Sequence, residues 1–503
     1  MKLAVIPLAL CGLALPAFAD ATVYPTGDPG VDVPAVQAAV DAGGTVLLKA
    51  VDVEGTPQVF DFGEFPVGAV DWDAAGSGSV ALGTQGDLVI LPVGSSFFLL
   101  SIGNDVHLLG ETVGDARTTI RGGTIPIRNF APLGSGSAVV FGLSKLSIEG
   151  IRFTEPALQA VYLTQLGSIP EVRAVVEQLG LDVTVEIRGN EILDPKPALT
   201  FLWLGQAAMA DGPAGPAHIE DNVATFTPDR WTAEQRRYET ENGLGQRPEL
   251  WEGLSMTDLH APSSMSGNTV RGPEIGLHVG LSGADAVRIA DNRVELGPVG
   301  FYGIACEGNH TYTVEGNTVI APGRFPDGIS LWATDPTVGI NHSVLEHNRV
   351  VLDGSDFGGI TLYTGGTGNQ FLQNVVEGSG AYAVGLASPF LPPEFFARDN
   401  LFRGNQLNRF TPRFSSFWGA GAHVLFDVNA IGNTLIGRSG LVRDLGQDNS
   451  ATGWNHRDVA GHALRARIAA KRNLLRAPVR PEAVAQALAG ASSTPARPSL
   501  RAR

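Results

Sequence analysis

One short phrase recurs through the middle of the chain and constrains its fold more than anything else. It reads Gly253-Leu254-Ser255-Met256, Gly276-Leu277-His278-Val279, Gly303-Ile304-Ala305-Cys306, Gly328-Ile329-Ser330-Leu331, Gly359-Ile360-Thr361-Leu362, and then a weaker Ala383-Val384-Gly385-Leu386. Successive Gly steps are 23, 27, 25 and 31 residues, and self-similarity at such a period marks a solenoid or a related array. Within each phrase the apolar residues alternate, which is the strand period. Each repeat therefore predicts one coil of a parallel β-solenoid, with Leu/Ile and the following Met/Val/Cys/Leu inward and the intervening residue outward. The Gly column is expected on the outward face, where it would leave room for a ligand. No coil buries its apolar face alone, so the stack is the folding unit. An Asn follows each phrase, at Asn268, Asn292, Asn317, Asn348, Asn374 and Asn400; stacked turn Asn residues satisfying backbone groups are the expectation.

The chain opens Met1-Lys2, runs apolar from Leu3 to Pro16, and reaches Ala17-Phe18-Ala19 before Asp20. That is the pattern of a secretory signal peptide over residues 1–19, and it points to a periplasmic or secreted protein. No later stretch is long and apolar enough to span a membrane. Of two Cys, Cys11 falls in the signal, and Cys306 occupies an inward strand position, where a small buried apolar role is expected. The formal charge is −16, although ten Arg/Lys crowd the segment 454–503 against Asp458 and Glu482. An acidic body repels nucleic acid. A solenoid of this length can be a single domain, and a monomer is expected.

Val33, Val36, Gln37 and Val40 lie at helical spacing, with Pro34 near the start and Gly43-Gly44 as the stop. This predicts a helix capping the open end of the stack, ahead of a strand at Thr45-Val46-Leu47-Leu48. Residues 165–182 carry a second helical pattern inside a coil, and 205–252 read as an excursion from the solenoid, which on a rigid scaffold is commonly a functional loop. The domain layout is then a β-helix over 20–450 and a tail over 451–503, in which His456 to Asn473 predict a basic amphipathic helix and the remainder is disordered in composition.

A helix followed by Gly-Gly-Thr-Val-Leu-Leu resembles the entry of the pectate-lyase-like right-handed parallel β-helix superfamily. Val106 to Gly110 with Thr119 to Gly123 are similar to its first full coil, and Leu146 to Phe153 with Ala160 to Leu163 to the next. The resemblance covers roughly residues 28–450. It implies an all-β, single-stranded right-handed parallel β-helix and a carbohydrate-active protein whose partner is a polysaccharide. The same fold hosts lyases, hydrolases, esterases, epimerases and non-catalytic proteins.

Equivalent residues of stacked coils lie about 4.8 Å apart, so outward columns form a lining suited to an extended polymer. The column two places after the Gly reads Ser255, His278, Ala305, Ser330, Thr361; the next reads Thr257, Gly280, Glu307, Trp332, Tyr363. Trp332 and Tyr363 offer flat apolar faces to a sugar ring. Around them lie Asp258, His260, His278, Glu307 and Asp327, residue types able to act as base, acid and neutralising partner; Arg324 and His310 complete the candidate binding set. Phe325-Pro326-Asp327-Gly328-Ile329 is similar to the Asp-Gly-Ile that carries a catalytic Asp in polygalacturonases, whose Asp-Asp pair and Gly-His-Gly have no counterpart here. Asp258-Leu259-His260 with Gly276-Leu277-His278-Val279 looks like the Asp-Pro-His-Asp and His-Gly-Ile-Ile region of mannuronan C5-epimerases, with Leu259 and Ala261 as departures. Uronate chemistry needs a cation, for which Arg271, Arg288 and Arg324 are available. Ca²⁺ is the one cofactor to carry forward, on Asp353 and Asp356. Lyase, epimerase and hydrolase chemistry all stay open, as does a non-catalytic polysaccharide-binding or cell-surface protein.

Overall fold

A computed structural model describes residues 20–456, apart from internal stretches of which the longest are 64–79, 127–139, 196–205, 228–251, 281–285 and 388–395. The segments expected to form a signal peptide and a basic tail helix lie outside the described residues, apart from His456, which ends the strand Asn455–His456. Within them the chain is a right-handed parallel β-helix. One sheet has fourteen strands, running in chain order from Ala21–Val23 to Ser450–Thr452, all parallel. A second collects the strands of the recurring phrase and the short strands that precede them, such as Thr269–Arg271. The hairpin of Gly86–Val93 and Ser96–Gly103 is antiparallel. No helix of the described residues is long and apolar enough to cross a membrane.

The phrases pair in the expected register. Leu254, Leu277, Ile304, Ile329, Ile360 and Val384 stand over one another, as do Met256, Val279, Cys306, Leu331, Leu362 and Leu386. All are buried in one continuous core. The stack goes on through Val424 and Val442, so the repeat persists beyond Asn433 although its sequence signal fades there. The first part of the 205–252 stretch is also regular coil: Gln206–Asp211, Ala217–Glu220 and Val223–Thr225 all pair with their neighbours above and below. The rest of that excursion lies outside the described residues.

The N-terminal helix spans Pro29–Ala42, with Asp28 capping it through the Gly30 amide. Its Val33, Val36 and Val40 are buried in the core beside the first strands, as their spacing predicts. Pro170–Leu179 is the second helix; Val172 packs with Leu143, Val183 and Ala214 in a small separate cluster.

The Gly column is placed differently from the expectation. At Gly276 a β carbon would stand 2.2 Å from Val294 Cγ1 and 2.5 Å from the Gly303 carbonyl oxygen. The phrase glycines thus sit at a corner of each coil, pressed against the core valine of the next turn, and offer no surface to a ligand. The Asn residues do stack. An unbroken ladder runs Asn190, Asn222, Asn268, Asn292, Asn317, Asn348, Asn374, Asn405. Asn400 belongs instead to a second ladder with Asn369, Asn433 and Asn449 at another corner.

Candidate functional site

The register resolves three outward columns on the strands of the recurring phrase. The first reads Glu252, Ile275, Tyr302, Asp327, Gly358, Tyr382; the second Ser255, His278, Ala305, Ser330, Thr361, Gly385; the third Thr257, Gly280, then Glu307, Trp332 and Tyr363. Sequence alternation predicts the second column at the surface. In the structure Ser255, Ala305, Ser330 and Thr361 are buried and His278 is only 8% exposed. At Thr361 a large side chain of a flanking column folds over the small one, with the Tyr382 hydroxyl bonded to Thr361 Oγ1. The Tyr382 ring lies 2.1 Å from where a Gly358 β carbon would be and 2.6 Å from that of Gly385.

His278 is the centre of the polar cluster. Its Nδ1 stands 3.0 Å from Glu252 Oε1 in the preceding coil and its Nε2 3.5 Å from Glu307 Oε2 in the following one. Gly280 makes this possible, because a β carbon there would meet His278 Nε2 at 2.6 Å. Burial opposes charge on the imidazole, but Glu252 and then Glu307 outweigh it and push its pKa up to about 10. The ring is therefore an imidazolium at neutral pH, a cation shared by two carboxylates. Glu252 is buried, whereas the Glu307 side chain keeps 35% of its surface, so Glu307 is the member that a ligand can reach.

Asp327 anchors a second cluster. Its carboxylate is buried and accepts from the Gly358 amide and the Tyr363 hydroxyl, with Thr361 Oγ1 at 3.5 Å. The Tyr382 hydroxyl bonds both Thr361 and Tyr363, at 3.3 Å each. Burial raises the Asp327 pKa to about 7, against the lowering effect of these hydrogen bonds. Trp332 and Tyr363 do not stand side by side as two sugar platforms. They stack on each other, centroids 4.2 Å apart and planes within 20°, and Tyr363, buried and tied to Asp327, packs with Tyr382 and Trp418. Trp332 alone remains half-exposed, one coil from Glu307 in the same column.

Asp258 follows the Glu252–Thr257 strand in a left-handed conformation (φ 51), its amide donating to the Gly280 carbonyl; it turns the chain. His260 lies two residues on, past the buried Leu259. His310 is fully buried, edge-on to Tyr312, whose hydroxyl donates to the Glu307 carbonyl. Arg324 is at the opposite end of its coil, paired with Asp356 at 2.7 Å. Arg271 and Arg288 are likewise paired, with Glu295 and Glu315. Among the described residues no group of three or more His, Cys, Asp or Glu is placed to hold a metal ion, and Asp356, one of the two carboxylates considered for Ca²⁺, is committed to Arg324. Cys306 is buried, and burial pushes its thiol far up from its ordinary range, which leaves it inert.

Glu252, Tyr302, Tyr382 and Trp418 escaped the sequence reading. The first three share a column with Asp327, so aligning the repeats one position before the Gly would have exposed them. Trp418 sits outside any repeat position and carried no such signal.

No family model matches the chain, and no curated protein matches it. Three similar solved structures can be named. The tailspike protein of E. coli bacteriophage HK620 in complex with a pentasaccharide is 13% identical, with 86% of this chain and 76% of that chain covered and a TM-score of 0.42. A double mutant of the same tailspike is 14% identical over 85% and 68%, with a TM-score of 0.43. A double mutant of the periplasmic alginate epimerase AlgG is 13% identical over 82% and 77%, with a TM-score of 0.34. The class itself rests on the sheets and the ladders: a right-handed parallel β-helix.

Proposed function

We propose that the protein is secreted or periplasmic and acts on an extended polysaccharide, with Glu307 as the reacting carboxylate, His278 as its positioning partner and Trp332 as the sugar platform. The observation that carries this reading is the registered pair Glu307–Trp332, in which a carboxylate held by a buried imidazolium stands one coil from a half-exposed indole. A sugar ring lying on Trp332 would bring its glycosidic oxygen toward Glu307. Of the chemistries the fold family hosts, the charge pattern favours hydrolysis of a neutral glycan. Lyase and epimerase reactions need a cation free to neutralise a uronate carboxylate, and His278 already faces two carboxylates while Arg271, Arg288 and Arg324 are paired.

The test is incubation of purified protein with a polysaccharide panel, reading both reducing ends and unsaturated-product absorbance. Reducing ends without unsaturated product are expected on a neutral glycan, with Glu307→Gln cutting turnover by about a hundredfold or more. Full turnover by Glu307→Gln would dismiss the assignment. A non-catalytic binding protein is the second reading, favoured by the burial of Ser255, Ser330 and Thr361, which leaves few outward polar groups; glycan binding that is lost in Trp332→Ala, with no product from any substrate, would establish it.

A further inference from the structure

The strand Arg349–Leu362 runs in register with Val375–Leu386 as far as Asp353, then slips twice, between Asp353 and Ser355 and between Ser355 and Gly358. Such bulges re-aim side chains, and they concentrate next to functional sites. Gly354 takes φ 82, and a β carbon there would lie 2.9 Å from Arg413 Nη1, so a guanidinium sits directly over the bulge. Hydrogen bonds from Ser355 Oγ to the Pro326 carbonyl and from Ser415 Oγ to the Asp356 carbonyl tie three separate segments into one rim. The rim encloses an open bay of about 520 Å³ lined by Arg324, Asp353, Asp356, Arg413 and Phe414. Phe414 is 77% exposed, and Phe325 beside Arg324 is 45% exposed.

We propose that this bay binds one neutral sugar residue of the same glycan, as a second subsite. Arg324 is neutralised by Asp356. That leaves one guanidinium, Arg413, and one carboxylate, Asp353, neither of which makes an ion pair among the described residues. Their charges cancel, which gives a polyanion nothing to hold. A donor fork and an acceptor lining one bay with an exposed aromatic instead match a ring whose hydroxyls both donate and accept and whose C–H face is apolar. The bay adjoins the start of Asp327–Trp332, and Trp332 ends that strand. The five steps from Asp327 to Trp332, at about 3.3 Å each, separate the two by about 17 Å, a span that one oligosaccharide can bridge.

This inference rests on the carbohydrate reading above and adds the sugar class and the place of a second contact. It is tested by calorimetric titration of the full chain with neutral hexose oligosaccharides and with hexuronate oligosaccharides of matched length. The neutral series is expected to bind, and Phe414→Ala and Asp353→Asn should each weaken it by about tenfold or more. Both side chains are exposed, so melting temperatures should not move. Wild-type affinity in both variants, with binding lost in Trp332→Ala, would overturn the bay and leave the glycan reading standing. Preference for the uronate series, lost in Arg413→Ala, would overturn the assigned sugar class. Failure of every oligosaccharide to bind any form would remove both readings together.

Discussion

Glu252 and His278 meet across a coil boundary with 3.0 Å between carboxylate oxygen and ring nitrogen, both shut away from solvent. Neither residue is tolerable there without the other, since a lone buried charge carries a heavy desolvation cost. The folded state binds the His278 proton far more tightly than the unfolded chain, with a pKa of about 10 against 6.5. A raised pKa contributes stability that is complete below the unfolded value and is lost as pH rises through the folded one. The urea midpoint is therefore expected to fall from about pH 7 to about pH 10. Glu252→Gln should flatten that slope and cost about 3–5 kcal/mol near neutrality. An unchanged slope in the variant would show that His278 is not the titrating group.

Asp327 should act in a lower window with the same sign. Its pKa rises from 3.8 to about 7 because burial disfavours the charged form. Between those values the native state holds a proton that the unfolded state has released, so stability declines as pH rises from about 4 to about 7. Asp327→Asn keeps an oxygen for the Gly358 amide and removes the ionisation. It should unfold with a flatter profile across that window, and above pH 7 it should match or exceed the wild type. Urea titrations at half-unit pH steps would reveal the difference.

Gly280→Ala probes the positioning of His278 without touching an ionisable group. The new methyl would fall 2.6 Å from Nε2, so the ring must swing away from Glu307. The expected result is a His278 pKa lowered toward its ordinary range, read from labelled-histidine NMR, with turnover reduced and fold retained. An imidazole still protonated at pH 9 in this variant would contradict the packing described.

The fold was legible because it is periodic. Alternation at Leu254-Ser255-Met256 and its five copies placed two inward columns correctly, and the stacked Asn residues followed from their spacing. The site was legible only in part, since a strand has two faces and alternation decides between them without saying what lies over the outer one. Ser330 and Thr361 are polar and alternate outward, yet both are buried, Thr361 against the Tyr382 hydroxyl of the neighbouring coil. Short-range motif likeness pointed to Asp258 and His260, whereas His278 takes its carboxylates from coils 26 and 29 residues away, at Glu252 and Glu307. Contacts of that kind depend on the rotation of each coil, which no local pattern records. Asn400 shows the same limit: its spacing fits the first ladder, and only the coil geometry assigns it to the second.

The ladders themselves give the sharpest stability test. Asn317 Nδ2 donates to the Ile289 carbonyl and to Asn348 Oδ1, each at 2.9 Å, while its Oδ1 accepts from the amide and the side chain of Asn292. Asn317→Ala would leave the Ile289 carbonyl and the Asn292 amide buried without partners. At about 1–3 kcal/mol for each of these two orphaned groups, the loss should be about 2–6 kcal/mol by urea unfolding. Asn317→Asp should be worse, because a carboxylate cannot donate to either acceptor and would face Asn348 Oδ1 with like charge density. Asn449, at the half-buried end of the second ladder, has water available to its neighbours, so Asn449→Ala should cost clearly less. Equal losses at the two positions would mean that burial of the ladder, rather than its hydrogen bonds, sets the penalty.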